Sequence, residues 1–218
     1  MSTRIILADD HGIVRDGLRA LLGPLEDIEV VAEADNGRTA VELAKKHRPD
    51  LVILDVSMPD LNGIEAARQI HEDVPTARII GLSMHADKRF VAEMLRAGAS
   101  GYLLKDAAFE ELHGAIETVM KGQIYLSPRI TGVVVEDYMR RLDDEGAVAP
   151  ASELSARERE VLQLLAEGKT TKQIALALHL SPKTIESHRH NIMSKLKIDN
   201  IAELTKYAIR EGLTSTQD

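Results

Sequence analysis

The sequence predicts a doubly wound α/β domain with a five-stranded parallel sheet, followed by a small all-α domain. Two observations lead to this prediction. Short apolar runs alternate with amphipathic stretches over about the first 125 residues, and such alternation is typical of a parallel sheet with helices on both faces. Beyond residue 150 the apolar residues recur only at helical spacing. We therefore expect one domain at 1–125, a linker helix and flexible linker at 126–152, and the second domain at 153–218.

The strands of the first domain are predicted from five short runs that are almost continuously apolar. Runs of this kind suit strands that are buried on both faces of a sheet. They lie at 4–8, 30–34, 51–55, 78–83 and 101–104. Five helices are predicted from apolar residues that share one helix face: Val14, Leu18, Leu21 and Leu22; Ala40, Leu43 and Ala44; Ile64, Ala67 and Ile70; Val91, Met94 and Leu95; and Leu112, Ile116 and Val119.

The connection between the domains begins after Ser127 and Pro128. One more helix is predicted there, with Ile130 and Val134 among its apolar residues. Residues 143–150 mix charges, glycine and proline without periodicity, a composition that predicts a flexible linker.

Composition narrows the class of protein. Of the 218 residues, 44% are hydrophobic and 28% charged, as in a folded soluble protein. No apolar run approaches the roughly 18–20 residues that cross a bilayer, and Asp9 and Asp10 interrupt the first apolar stretch, unlike in a signal peptide. The absence of cysteine excludes a disulfide framework and a thiolate metal site. We expect a cytoplasmic protein with no membrane partner.

The net charge of −8 is unevenly distributed. Residues 151–218 carry 10 Lys and Arg against 9 Asp and Glu, which leaves 17 against 26 in the first 150 residues. Within 181–197, four basic residues stand against Glu186 alone. A basic helix on a neutral module can bind phosphates even when the whole chain is acidic, so the overall charge does not exclude a nucleic-acid partner.

Polar residues stand at four of the predicted strand ends. Asp9 and Asp10 follow the first strand, Asp55 ends the third, Ser83 ends the fourth and Lys105 follows the fifth. The carboxyl ends of parallel strands meet at one edge of a sheet, so we expect these side chains to converge. Three carboxylates in one small site repel each other unless a cation joins them. Carboxylate oxygens suit Mg²⁺, which also accepts phosphate oxygens.

This set of groups predicts phosphoryl chemistry. A carboxylate can attack phosphorus and form an acyl phosphate, and the transfer then needs mainly positioning and charge neutralisation. Mg²⁺ and Lys105 would neutralise the charge, while the hydroxyl of Ser83 could donate a hydrogen bond to a phosphoryl oxygen.

These residues resemble the signature of response-regulator receiver domains, which have a flavodoxin-like fold. The motifs are Asp9-Asp10-His11, Asp55-Val56-Ser57-Met58-Pro59, Ser83 and Lys105, and the resemblance covers residues 3 to about 125. It implies that Asp55 accepts a phosphoryl group from a sensor histidine kinase. It also implies that Asp10, Asp55 and the Ser57 carbonyl bind Mg²⁺, with Asp9 helping through water, and that Ser83 and Tyr102 form a switch pair. Asp106 departs from the proline that commonly follows the lysine.

The second domain carries the signals of a helix-turn-helix. Ser155 and Glu158 form a capping box that starts its first helix, and Thr171 can cap the second. Ser181 and Pro182 begin the third, with serine as the N-cap and proline in the first helical position. One side of this third helix is apolar and the remainder is polar and basic. A short helix, a tight turn and such a second helix suit docking into the major groove.

Residues 182–189 and 192–196 are similar to the LuxR-type helix-turn-helix, over 154 to about 213. Joined to the receiver, the chain resembles the NarL/FixJ family of bacterial transcription regulators. The resemblance implies double-stranded DNA as a partner, a homodimer on activation through the fourth helix of the module, and RNA polymerase as a possible further partner. Base edges would be faced by Glu186, Ser187 and His190, and phosphates mostly by Lys183, Thr184, Arg189 and Lys195. Glu186 departs from members that have lysine there.

Together these features predict a two-component response regulator and not an enzyme. Phosphorylation of Asp55 would shift the population of conformations, release the output domain and promote dimers that bind one duplex avidly.

Two enzyme classes fit poorly. A haloacid-dehalogenase-type phosphatase needs a second acid two residues after its nucleophile, where this chain has Ser57. A P-loop is excluded because Gln163 stands where the earlier glycine belongs. A receiver that signals only through proteins stays open as an alternative, and salt-dependent binding to duplex DNA would exclude it.

Overall fold

The computed structural model describes residues 2–84, 86–143 and 154–214. The chain divides into two compact units, one within residues 1–146 and one within 147–218. Most of the predicted flexible linker lies outside the described residues, so its character and the predicted domain limits stay predictions. The part of the chain that the structure describes contains no helix long and apolar enough to cross a membrane.

The first unit alternates strands and helices along the chain. Its elements are β1 (Thr3–Ala8), α1 (Gly12–Leu22), β2 (Ile28–Ala34), α2 (Gly37–His47), β3 (Leu51–Asp55), α3 (Gly63–Asp73), β4 (Arg78–Ser83), α4 (Lys88–Arg96), β5 (Gly101–Leu104), α5 (Ala108–Met120), β6 (Tyr125–Leu126) and α6 (Pro128–Asp143). All neighbouring strands are parallel, in the order β2-β1-β3-β4-β5-β6. This is the doubly wound architecture that the sequence predicts.

Two apolar cores cover the two faces of the sheet. Ile5 and Leu7 of β1 belong to one core with residues of α1 and α5, whereas Ile6 and Ala8 belong to the other with residues of α2, α3 and α4. The alternation follows from the two-residue period of a strand. Because both faces are buried, the carboxyl edge of the sheet is where polar groups can gather.

The structure has a sixth strand, β6, beyond the five that the sequence predicts. Two residues are too few to show a periodic pattern. The backbone N–H of Ser127 donates to the carbonyl of Tyr102 at 3.0 Å. The Ser127 hydroxyl accepts from the Leu104 N–H at 3.3 Å and donates to Glu111 Oε2 at 2.5 Å. These hydrogen bonds attach the residue before α6 to strand β5 and to helix α5.

Helix α6 begins at Pro128, where the sequence predicts a helix. Its Ile130 is fully buried in the core that includes Tyr102, and Val134 packs against that core. The first turns of α6 are therefore part of the packing of the first unit.

Within residues 154–214, the second unit has four helices: α7 (Ala156–Ala166), α8 (Thr171–Ala177), α9 (Pro182–Leu196) and α10 (Ile201–Arg210). The predicted capping box of Ser155 and Glu158 at α7 is confirmed. The start of α9 is also confirmed, because Ser181 accepts from the Thr184 N–H and proline follows in the first turn.

The predicted cap of α8 was wrong by one residue. Thr170 is the N-cap, and Thr171 is the first helical residue. Gln173 stands three residues after Thr170, and its side chain accepts from the Thr170 N–H at 2.8 Å. The corresponding partner of Thr171 would be the apolar Ile174, which cannot complete a capping box. Because Thr170 caps α8, the hydroxyl of Thr171 is not used for capping and can bond to another helix.

Candidate functional site

A buried ion-pair cluster lies at the carboxyl edge of the sheet. The Nζ atom of Lys105 is 2.7 Å from Asp9 Oδ2 and 2.8 Å from Asp55 Oδ2. The side chains of Asp9 and Asp55 are 0% and 2% exposed, and that of Lys105 is 8% exposed. The structure thus brings together three residues that are far apart in the sequence.

The strand order explains this convergence. β3 lies between β1 and β4, and β5 pairs with the far side of β4. The backbone N–H of Val56 donates to the Leu82 carbonyl at 2.8 Å, and that of Lys105 donates to the Ser83 carbonyl at 2.8 Å. The ends of β3, β4 and β5 are therefore held in register, with Asp55, Ser83 and Lys105 at one edge.

The loop after β3 folds closely over Asp55. Its carboxylate Oδ1 accepts from the Ser57 N–H at 3.2 Å. Gly63 donates its N–H to the Val56 carbonyl at 2.9 Å, and a Cβ at Gly63 would collide with the carbonyl group of Asp55. The close approach requires glycine and fixes the backbone of the proposed phosphoacceptor. The predicted role of the Ser57 carbonyl as a metal ligand stays a prediction.

Four side chains at this edge can hold a cation. Asp9, Asp10, His11 and Asp55 each offer a ligand atom, and these atoms lie within 4.8 Å of one another. His11 Nδ1 is 2.9 Å from Asp10 Oδ1 and 3.1 Å from Asp9 Oδ1. The predicted ligands Asp9, Asp10 and Asp55 are thus brought together, and their oxygens suit a hard divalent cation. His11 was not among the predicted ligands, although it directly follows the acidic pair.

Burial shapes the electrostatics of the pocket. It raises the pKa of Asp55 to about 7, and the nearby charge of Asp9 adds to this rise while Lys105 opposes it. Burial alone would lower the pKa of Lys105, but the two carboxylates outweigh it and raise that pKa. The lysine stays charged and serves as a fixed cation beside the two carboxylates.

The predicted switch pair lies beside this cluster. Both residues are buried on neighbouring strands: Ser83 is the last residue of β4, and Tyr102 is the second residue of β5. Burial raises the pKa of Tyr102 to about 12, although a hydrogen bond with the Ser83 side chain opposes this rise. The two hydroxyl groups are therefore in direct contact, as a coupled pair requires.

In the second unit, α9 presents most of the residues that the sequence predicts to meet DNA. Lys183, Glu186, Ser187 and His190 are exposed, and Thr184 and Arg189 are half-buried. Ile185 and Ile192 are buried in the core of the unit. The amphipathic pattern of α9 is thus confirmed, with one polar face available to a partner.

Lys195 has a structural partner that the sequence did not reveal. Its Nζ atom is 2.6 Å from Glu158 Oε2 in the capping box of α7. The Glu158 side chain is 5% exposed. Lys195 therefore neutralises a buried carboxylate, and its predicted contact with phosphate stays a prediction.

A second contact across helices involves Glu186. Its Oε1 atom accepts from the Thr171 hydroxyl at 2.8 Å, and Oε2 is 3.9 Å from Arg189 Nη1. Thr171 belongs to α8 and was not among the predicted site residues. The sequence could have pointed to Thr171 only if Thr170 had been recognised as the N-cap of α8, through its capping box with Gln173. The hydroxyl of Thr171 is then not needed for capping.

Two family models match the chain. The model described as the response regulator receiver domain matches residues 5–117, and the one described as bacterial regulatory proteins of the luxR family matches 152–208. The chain is similar to the oxygen regulatory protein NreC of Staphylococcus haemolyticus, with 39% identity over 96% of this chain and 98% of that protein. It is also similar to the response regulator UvrY of Escherichia coli K12, with 37% identity over 98% and 96%.

Solved structures show the same likeness over nearly the whole chain. The RcsB response regulator of Salmonella typhimurium has a TM-score of 0.63 and 31% identity, covering 94% of this chain and 96% of that one. A complex of RcsB with DNA has a TM-score of 0.59 and 30% identity, covering 95% and 98%.

Proposed function

Because this chain belongs to the two-component response regulators, with a receiver domain followed by a LuxR-type DNA-binding domain, we propose that phosphorylation of Asp55 controls its DNA binding. A sensor histidine kinase would supply the phosphoryl group. The modified chain would form a homodimer, bind specific duplex DNA and so regulate transcription. The observation that carries this proposal is the buried cluster of Lys105, Asp9 and Asp55.

The chemistry follows from the position of each group. A carboxylate oxygen of Asp55 forms a bond to phosphorus as the bond between phosphorus and the nitrogen of the kinase's phosphohistidine breaks. The leaving imidazole keeps the electron pair of that bond and takes up a proton. Lys105 neutralises part of the charge on the acyl phosphate. Asp9, Asp10 and Asp55 would hold Mg²⁺, which would supply further neutralisation of the phosphoryl charge.

The switch pair would report the phosphoryl group to the rest of the domain. The Ser83 hydroxyl is at the end of β4 and can donate to a phosphoryl oxygen. Because a serine hydroxyl has a single donor, this would end its donation to Tyr102. The backbone carbonyl of Tyr102 accepts a hydrogen bond from the Ser127 N–H, just before α6. A small shift at the site would thereby reach the segment that leads to the second domain.

DNA is the partner proposed for α9. The exposed polar face of α9 and the RcsB–DNA complex among the similar structures support this assignment. A kinase and DNA as partners place the protein in the cytoplasm under this proposal. We propose a regulator that undergoes one phosphoryl transfer, not an enzyme.

The test compares DNA affinity and oligomeric state with and without beryllofluoride, a mimic of the acyl phosphate. The full chain is used with Mg²⁺ and with a duplex that it selects from a random library. We expect beryllofluoride to tighten binding and to favour dimers in the wild type, and to change neither property in Asp55→Ala. Equal affinities and equal masses in the wild type would reject control by phosphorylation.

A further inference from the structure

The carboxylate of Glu186 is the acidic group that α9 places on its exposed DNA-facing side. Within 181–197 the remaining charged residues are basic, and the Glu186 side chain is 55% exposed. An acidic group there weakens phosphate binding by repulsion. A carboxylate can accept a hydrogen bond from the amino group of a base, which a lysine cannot.

Thr171 holds this carboxylate in place from the neighbouring helix. Its hydroxyl donates to Glu186 Oε1 at 2.8 Å, across the turn between α8 and α9. Arg189 lies one turn further along α9, with its Nη1 atom 3.9 Å from Glu186 Oε2. The two partners restrict the rotamers of Glu186, so less entropy is lost when it contacts a second group. The carboxylate keeps unused lone pairs for such a contact, because each of its oxygens can accept two hydrogen bonds.

We propose that Glu186 is a specificity-determining residue that accepts a hydrogen bond from the N4 amino group of cytosine in the major groove, and that Thr171 is its positioning residue. This inference rests on the proposed function, because it requires α9 to meet the bases of duplex DNA. It adds which base the module prefers and which residue outside α9 contributes to that preference.

The chemistry of the base edges favours cytosine over the alternatives. Guanine presents only acceptors in the major groove, and thymine presents an acceptor and a methyl group, so both disfavour a carboxylate. Adenine presents an amino donor beside the N7 acceptor, which repels a carboxylate placed between them. Cytosine presents an amino donor without an adjacent acceptor on the same base.

The substitution Glu186→Gln distinguishes a contact with cytosine from mere repulsion between the carboxylate and the DNA phosphates. Glutamine pairs in a bidentate manner with the N6 and N7 atoms of adenine, so the preferred base at one position of each half-site changes from cytosine to adenine. Glu186→Ala removes the preference. Thr171→Val weakens the discrimination at the same base position. Thr171→Ser retains it, because only the hydroxyl is needed to hold the carboxylate of Glu186.

The experiment is selection of duplexes from a random library by the full chain, at one fixed salt concentration, followed by affinity measurements on matched duplexes that differ at a single base pair. We expect about tenfold discrimination for cytosine in the wild type, in the range of a good base contact. The discrimination falls to about threefold in Thr171→Val. Glu203→Gln is the matched control, because it removes one exposed negative charge from the first turn of α10 and leaves the base preference unchanged.

The outcomes separate this inference from the function on which it rests. A wild type that binds no duplex DNA at low salt contradicts the proposed function and the inference together. A wild type that binds specifically, with Glu186→Gln raising affinity uniformly and changing no base preference, overturns the inference alone. A shifted preference in Glu186→Gln with full discrimination in Thr171→Val removes the positioning role of Thr171.

Discussion

The ammonium group of Lys105 lies 2.8 Å from the carboxylate of Asp55, and neither side chain is more than 8% exposed. A buried pair of this kind is costly to break, because removal of one partner leaves a charge without compensation. In a site that must accept a phosphoryl group, the same pair supplies a fixed positive charge where negative charge will accumulate.

Replacement of this lysine should destabilise the metal-free chain. In Lys105→Met the carboxylates of Asp9 and Asp55 face each other without their cation. We expect the free energy of unfolding of the first unit at pH 8 to fall by about 3–5 kcal/mol, and added Mg²⁺ to recover part of the loss. Urea denaturation with and without Mg²⁺ measures both effects. Lys121→Met is the matched control, because its ion pair with Glu117 is exposed and contributes less than about 1 kcal/mol.

Affinity for Mg²⁺ should depend on pH through Asp55. Burial, and then the charge of Asp9, raises the pKa of Asp55 to about 7, so below that pH the ion must displace a proton. We expect binding to be about tenfold weaker at pH 6 than at pH 8, as linkage to one proton requires, measured by titration calorimetry. His11→Asn removes the neighbouring imidazole, so the pH dependence that this variant retains comes from the carboxylates. Equal affinity at the two pH values would contradict the assignment.

The stability of the metal-free chain should follow the same titration. The pKa of Asp55 in the folded state lies above its unfolded value of 3.8. Between these two pKa values the folded chain therefore holds a proton on Asp55 that the unfolded chain has lost. The contribution of Asp55 to stability therefore decreases as pH rises from about 4 to 7. Denaturation midpoints of the wild type and Asp55→Asn across this range provide the measurement, and the variant should lose this part of the slope.

Replacement of Lys195 should affect mainly stability, whereas replacement of Lys183 should affect mainly DNA binding. Lys195 pairs with the nearly buried Glu158, so Lys195→Met should lower the stability of the second unit by about 1–2 kcal/mol. Burial raises the pKa of Glu158, but hydrogen bonds from Lys195 and Ser155 outweigh it and lower that pKa below 4.5. The stabilisation is thus present above pH 4.5 and is lost in stronger acid.

The control for this prediction is the exposed Lys183 at the start of α9. Lys183→Met should leave the melting temperature unchanged, reduce DNA affinity for all sequences and lower the salt dependence of binding by about one counterion. If the two lysine variants have the same effects on stability and binding, the assignment of separate roles is wrong.

Two glycines distinguish close packing from open space. A Cβ at Gly63 would collide with the Asp55 carbonyl, whereas one at Gly132 in α6 would meet nothing within 4 Å. Gly63→Ala should therefore displace the Asp55 loop and weaken Mg²⁺ binding strongly. Gly132→Ala should stabilise the chain by about 0.5–1 kcal/mol through helix propensity. Thermal melts with and without Mg²⁺ separate the two effects.

Much of the first unit can be predicted from the sequence because its signals are local. Apolar runs locate β1 to β5, and the rule that parallel strands end at one edge brings Asp9, Asp55 and Lys105 together. β6 could not be predicted, because two residues are too few to show a periodic apolar pattern. Its position beside β5 depends on the hydrogen bonds of Ser127 to that strand.

The second unit shows the limit of such reasoning. Caps and apolar stripes predict the helices, with an error of one residue at Thr170. The partners of Lys195 and Glu186 could not be predicted, because they lie 37 and 15 residues away in the sequence. Such contacts depend on how the helices cross, and no local pattern encodes that geometry.

The most direct test is to identify the residue that carries the acyl phosphate. The full chain is incubated with Mg²⁺ and phosphoramidate, reduced with borohydride, which converts an aspartyl phosphate to homoserine, and mapped by peptide mass spectrometry. The account predicts homoserine at position 55, and its loss when Lys105 and Asp10 are both replaced or when the divalent ion is removed. Modification at a different carboxylate, or none under conditions where the chain is folded and binds Mg²⁺, would contradict it.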